Sequence, residues 1–161
     1  TITGLYRFAV KGLNADSLSQ VAIPQPYDTF PDDRRFALLF DNKAEVWQEI
    51  LDDNEGQPEW LHKENFLCVF TNPEIMASLD ASYRIIPKSQ DQDTQRILEI
   101  RDRSSGEVVW GPEDLATPEG RTSLGDFFSQ DKKVQCITAD SPKASEQKFQ
   151  FGNTSSGWEL N

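Results

Sequence analysis

The residues that most often do chemistry are scarce in this chain, which has one histidine and two cysteines in 161 residues. Cys68 and Cys136 sit inside the apolar stretches FLCVF and VQCIT. They cannot make a disulfide framework and are read as buried thiols, because a reactive thiolate needs exposure and a lowered pKa. Cys136 follows Lys132 and Lys133, which would favour a thiolate, so a reactive role stays open there. With His62 alone, no zinc cluster of ordinary ligand spacing can be built, and a Ser-His-Asp triad would have to use that single residue. Within WLHKEN no nucleophile motif accompanies it, so His62 reads as a loop-edge residue. The aspartate pairs at 32–33 and 52–53 match no calcium-loop spacing; aspartates in turns cap and solvate the backbone. Trp47, Trp60, Trp110 and Trp158 are too scattered to form a stacking platform and are assigned to packing in the core and at a barrel rim.

The charge balance sharpens the question. Sixteen basic residues against twenty-seven acidic ones give a formal net charge of -11. Like charge repels a polyanion, so a nucleic-acid partner is not expected, and any anionic ligand needs a local basic pocket. No run approaches the roughly 18 apolar residues that a membrane span requires, and the first residues lack the basic-then-apolar order of a signal peptide. A cytosolic protein with no membrane partner is the expectation. Hydrophobic residues at 37% and charged residues at 27% suit a globular chain, with length for one domain or one domain and the start of another.

Periodicity supplies the elements. In TITGLYRFAV the apolar residues Ile2, Tyr6, Phe8 and Val10 alternate with Thr1, Thr3 and Arg7, the period of a half-buried strand. LSQVAI at 18–23 predicts a second strand, stopped by Pro24 and Pro26. The dense apolar run at 35–40 suits a central strand with both faces covered. Residues 43–52 predict a helix, with Val46, Trp47, Ile50 and Leu51 on one side. FLCVF at 66–70 predicts a strand, and NPEIMASLD a helix with Asn72 as cap and Pro73 at its first position. SYRIIP, TQRILEIR and EVVWG predict a meander, with DRSSGE as a hairpin turn. TPEGR offers Thr117 as the cap of a helix over 118–129, carrying Leu124, Phe127 and Phe128, and KKVQCIT predicts one more strand. The tail from 140 onward is polar and lacks a closing apolar element. The expected class is mostly β with a few helices (α+β): a partly open antiparallel β-barrel with short flanking helices.

GLYRFAVKGL at 4–13, LSQVAI, and FPDDRRFALLF at 30–40 appear in the order that opens the MOSC family, a Tyr-x-x-x-Val-Lys strand end followed by a Gly-Asp-Arg-type turn. WLHKENFLCVF and DLATPEGRTSLGDFF also resemble stretches of a bacterial branch of that family. The resemblance covers roughly the first 130 residues. It implies an N-terminal β-barrel domain over 1–130, with 131–161 as the start of the MOSC domain or a C-terminal tail. The binding properties it brings are those of the molybdenum cofactor (molybdopterin), molybdenum ion and pyridoxal phosphate. It implies sulfur transfer or reduction of N-hydroxylated compounds in the full-length protein, with the remainder of a MOSC domain or another redox protein as partner.

Lys11, Gly12 and Arg34 match the positions that reach the cofactor in that family. A lysine at a strand end and an arginine at a turn can converge on one phosphate, the arginine with a planar fork. Gly12 stands where many members have Ser, and Asp32 where they have Gly. The family's molybdenum-ligating cysteine lies in a later half of the domain, and neither Cys68 nor Cys136 falls in a matching motif. No catalytic residue and no metal ligand is therefore assigned, and the chain alone is expected to be catalytically silent. Residue type alone also allows Lys11 to be a solvated strand-end lysine, and Arg34 a turn arginine paired with Asp33 or Asp32 or packed over Phe36. Arg35 is expected to be structural. The competing reading is a non-catalytic, stand-alone interaction or structural β-barrel module, favoured by Gly12, Asp32 and the absent cysteine.

Overall fold

Burial follows the apolar run at 36–40 closely: Phe36, Ala37, Leu38 and Leu39 are all buried. A computed structural model describes residues 2–23, 30–52, 61–90, 93–130, 133–140 and 151. Pro24, Pro26, Asp53, Trp60, Lys132, Trp158, residues 141–161 apart from Phe151, and the side chain of Ile50 lie outside the described residues. The elements are β1 (Leu5–Arg7), β2 (Asp16–Leu18), β3 (Phe36–Phe40), α1 (Ala44–Asp52), α2 (Pro73–Ser78), β4 (Leu79–Ile86), β5 (Gln95–Asp102), β6 (Val108–Asp114), α3 (Pro118–Phe128) and β7 (Val134–Thr138). The strands form three small antiparallel sheets, β1-β2, β3-β7 and β4-β5-β6, so the described chain is mostly β with few helices. No helix among the described residues is long and apolar enough to cross a membrane.

β3 is covered on both faces, as its composition predicts. Phe36 and Leu38 enter one apolar cluster with Val10, Leu98, Ile100 and Leu124, while Ala37 and Leu39 enter a second with Trp47, Leu61, Phe66 and Phe151. β7 pairs with β3 along its whole length, from Phe36 opposite Thr138 to Phe40 opposite Val134. α3 lies against β7 and β6. Its start is built as the sequence implies: the Thr117 hydroxyl accepts from Gly120 N at 3.1 Å, and Pro118 occupies the first turn. Thr117→Ala is expected to lower stability by about 1 kcal/mol, the usual loss for an N-cap. The urea midpoint measures it.

Three expected features differ. FLCVF is not a strand: only Phe66 bridges to Leu39, and the chain then turns. The Thr71 hydroxyl accepts from Cys68 N at 2.9 Å and donates to Phe66 O at 2.8 Å, while Thr71 N and Asn72 N both donate to Cys68 O. Val69 and Phe70 are thereby left 49% and 59% exposed. LSQVAI does not continue the second strand, which ends at Leu18. The first strand keeps Val10 buried as expected, but its facing is reversed at Tyr6 and Arg7. Tyr6 is 60% exposed and Arg7 is buried, because the guanidinium donates to Asp16 Oδ2 at 3.0 Å and lies 4.8 Å from the centre of the Tyr83 ring. A paired arginine with an aromatic to cover it can occupy a position that polarity alone assigns to solvent.

β4 shows a further use of polar side chains. Along its outer edge Asn14 Nδ2 donates to Ala81 O at 2.9 Å, Asn14 Oδ1 accepts from Ala81 N at 2.6 Å, and Asp16 Oδ1 accepts from Tyr83 N at 3.2 Å.

Candidate functional site: Lys11, Gly12 and Arg34

Residues 8–11 and 34–36 run side by side as a short parallel ladder. Arg34 N donates to Phe8 O at 2.6 Å, Phe36 N to Ala9 O at 3.1 Å and Lys11 N to Phe36 O at 2.8 Å, around a parallel bridge between Val10 and Phe36. The strand end that carries Lys11 and Gly12 is thus joined directly to the turn that carries Arg34. The turn itself has two non-glycine residues at positive φ, Asp32 at 56° and Arg34 at 50°. Such conformations cost roughly 1–2 kcal/mol each and persist only where surrounding bonds hold them. Here Asp33 Oδ1 accepts from Phe8 N at 2.7 Å. Buried Asp32 accepts from Arg35 at 2.6 Å and from Arg96 Nε at 3.2 Å. The positive φ at Asp32 is a conformation that glycine adopts without this cost.

The two cations have different environments. Arg34 is partly exposed, pairs with Asp33 and stacks its guanidinium 4.9 Å from the centre of the Phe8 ring. Lys11 is only 2% exposed. Its ammonium donates to Phe151 O at 3.2 Å and lies 5.3 Å from the centre of the Phe66 ring. Burial lowers the Lys11 pKa to about 8; Cys68 acts in the opposite direction, and the nearby Arg34 charge adds to the lowering. Gly12 has φ +97°, and a Cβ there would lie 2.8 Å from Cys68 Cα. Gly12 therefore serves close packing against the 67–68 backbone.

Of the alternatives open for Arg34, pairing with Asp33 is the one present. Arg35 is structural, joining Asp32 to Asp140 through Nε and Oδ2 at 2.8 Å. His62 caps the short 3-10 turn Lys63–Asn65, its Nδ1 accepting from Glu64 N at 3.3 Å. Cys68 is buried. The Cys136 thiol is pushed up to about 12 by burial, against a smaller opposing effect of Arg121, which removes the case for a thiolate there. Trp47 and Trp110 are core residues. No group of three or more His, Cys, Asp or Glu among the described residues could hold a metal ion.

Sequence reasoning missed Phe151, Arg7 and Arg96. An apolar residue in a polar tail carries no periodic signal, and the arginines are placed by distant carboxylates. No family model, no curated protein and no solved structure matches the chain.

Proposed function

We propose that the chain is the N-terminal module of a MOSC-type protein, and that Lys11, Gly12 and Arg34 help hold the anionic phosphate of the molybdenum cofactor. The observation that carries this reading is the parallel pairing of 8–11 with 34–36, which joins the Lys11 strand end to the Arg34 turn in a chain of net charge -11. An ammonium, a guanidinium and a backbone N–H form a donor set suited to phosphate oxygens. The three sheets are read as parts of a partly open barrel that carries this donor set on one strand end and one turn. The cofactor supplies the chemistry, sulfur transfer or reduction of N-hydroxylated compounds, in a protein with a complete MOSC domain; this chain's share is to bind and orient. The protein is read as cytosolic, with that domain or another redox protein as its partner.

Molybdopterin binding, followed by pterin fluorescence on this chain and on a longer one carrying a complete MOSC domain, tests the assignment. Lys11→Ala and Arg34→Ala are each expected to weaken binding about tenfold, as for loss of one charge-assisted hydrogen bond. Unchanged affinity in both variants rejects the site.

A second reading, a non-catalytic structural or interaction module, is favoured by one observation: the Lys11 ammonium is bonded to the chain's own Phe151 carbonyl. Absence of pterin binding by either wild-type chain would support it.

A further inference from the structure

Phe151 is buried and tied to both halves of the candidate site. Its carbonyl accepts from the Lys11 ammonium at 3.2 Å, and its N–H donates to Arg34 O at 3.0 Å. Its ring packs against Trp47 and Phe66, with centres 5.4 and 5.8 Å apart. One residue from the far end of the chain thus binds the lysine side chain and the arginine backbone, and anchors itself in the second apolar cluster.

We propose that Phe151 is a built-in competitor of the anion site: its carbonyl occupies the Lys11 ammonium and controls access to it. This inference rests on the reading of Lys11 and Arg34 as a phosphate-holding pair. A carbonyl presents a partial negative charge and an anion a full one, so a phosphate oxygen makes the stronger bond to an ammonium. The aromatic packing holds the carbonyl in place until a ligand supplies enough contacts to replace it. A small anion therefore binds weakly, and a larger phosphorylated ligand with an apolar or planar body of its own displaces Phe151 more readily.

The test is acylation of lysines in the full chain by an N-hydroxysuccinimide ester, read by peptide mapping, with exposed Lys133 as the internal standard. Phe151→Ala is expected to speed acylation of Lys11 at least tenfold relative to Lys133, and inorganic phosphate is expected to slow it again. An unchanged Lys11 rate in a folded Phe151→Ala variant overturns the proposal. If Lys11 becomes reactive but phosphate does not protect it, control by Phe151 stands and the anion-site reading fails. Should the variant not fold, hydrogen exchange at the Phe151 amide of the wild-type chain decides. Phosphate that protects Lys11 should speed that exchange several-fold, and protection of Lys11 with no change at Phe151 rejects displacement.

Discussion

Gly12→Ser is expected to lower the stability of the chain by about 3 kcal/mol. The serine Cβ would meet Cys68 Cα at 2.8 Å and Cys68 Cβ at 2.9 Å, and the backbone there has φ +97°. A non-glycine residue at positive φ costs roughly 1–2 kcal/mol, and overpacking against atoms that cannot turn away adds roughly 1–3 kcal/mol. The Cys68 backbone is fixed by the Thr71 hydroxyl and by two amides on its carbonyl, so the loop has little room to yield. Urea denaturation measures the loss. If the variant is as stable as wild type and binds a phosphate ligand more tightly, the close packing of Gly12 on Cys68 does not hold in solution.

Lys11→Met is expected to do the opposite and stabilise the chain at pH 7, by about 2 kcal/mol. The folded state releases the Lys11 proton near pH 8 and the unfolded state near the ordinary 10.5. Each pH unit of that difference is worth about 1.4 kcal/mol, from which roughly 1 kcal/mol is lost with the hydrogen bond to Phe151 O. Below pH 8 both states carry the proton and the wild type bears the full penalty of a buried charge. Between pH 8 and 10.5 the unfolded state holds more protons than the folded one, so wild-type stability gains relative to the variant as pH rises. The advantage of Lys11→Met should therefore be fullest below pH 8 and gone near pH 10.5. Denaturation curves at pH 7, 9 and 10.5 measure it, and a variant less stable than wild type at pH 7 would show that the ammonium is a net stabiliser. A stabilising result would fit a charge kept for what it binds, since sites that hold ligands are often strained in the absence of them.

Where neighbours in sequence decide the structure, the chain could be read directly. The β4-β5-β6 meander, its Ser-Gly hairpin and the Thr117-capped α3 are local, and β3 announced itself by five apolar residues in a row. The candidate site was half legible. The motifs picked out Lys11 and Arg34 and the short ladder joins their segments, but nothing near Lys11 in sequence signals that a phenylalanine 140 residues later binds it. The errors share a cause in polar groups that find distant or unexpected partners. Arg7 turned inward because Asp16 and Tyr83 receive it, and FLCVF lost its strand to the Thr71 hydroxyl, whose contacts within five residues outweigh a β-favouring composition. Asp32 reads on paper as a charge harmful to an anion site, yet its carboxylate is already engaged by Arg35 and Arg96.

The outer edge of β4 offers donors and acceptors that a foreign strand would find attractive. Asn14 and Asp16 supply counterfeit peptide groups there, one amide and one carboxylate standing where a neighbouring main chain would lie. The mimicry satisfies that stretch of sheet without extending it, so a foreign strand could pair with Ala81 and Tyr83 only by displacing both side chains.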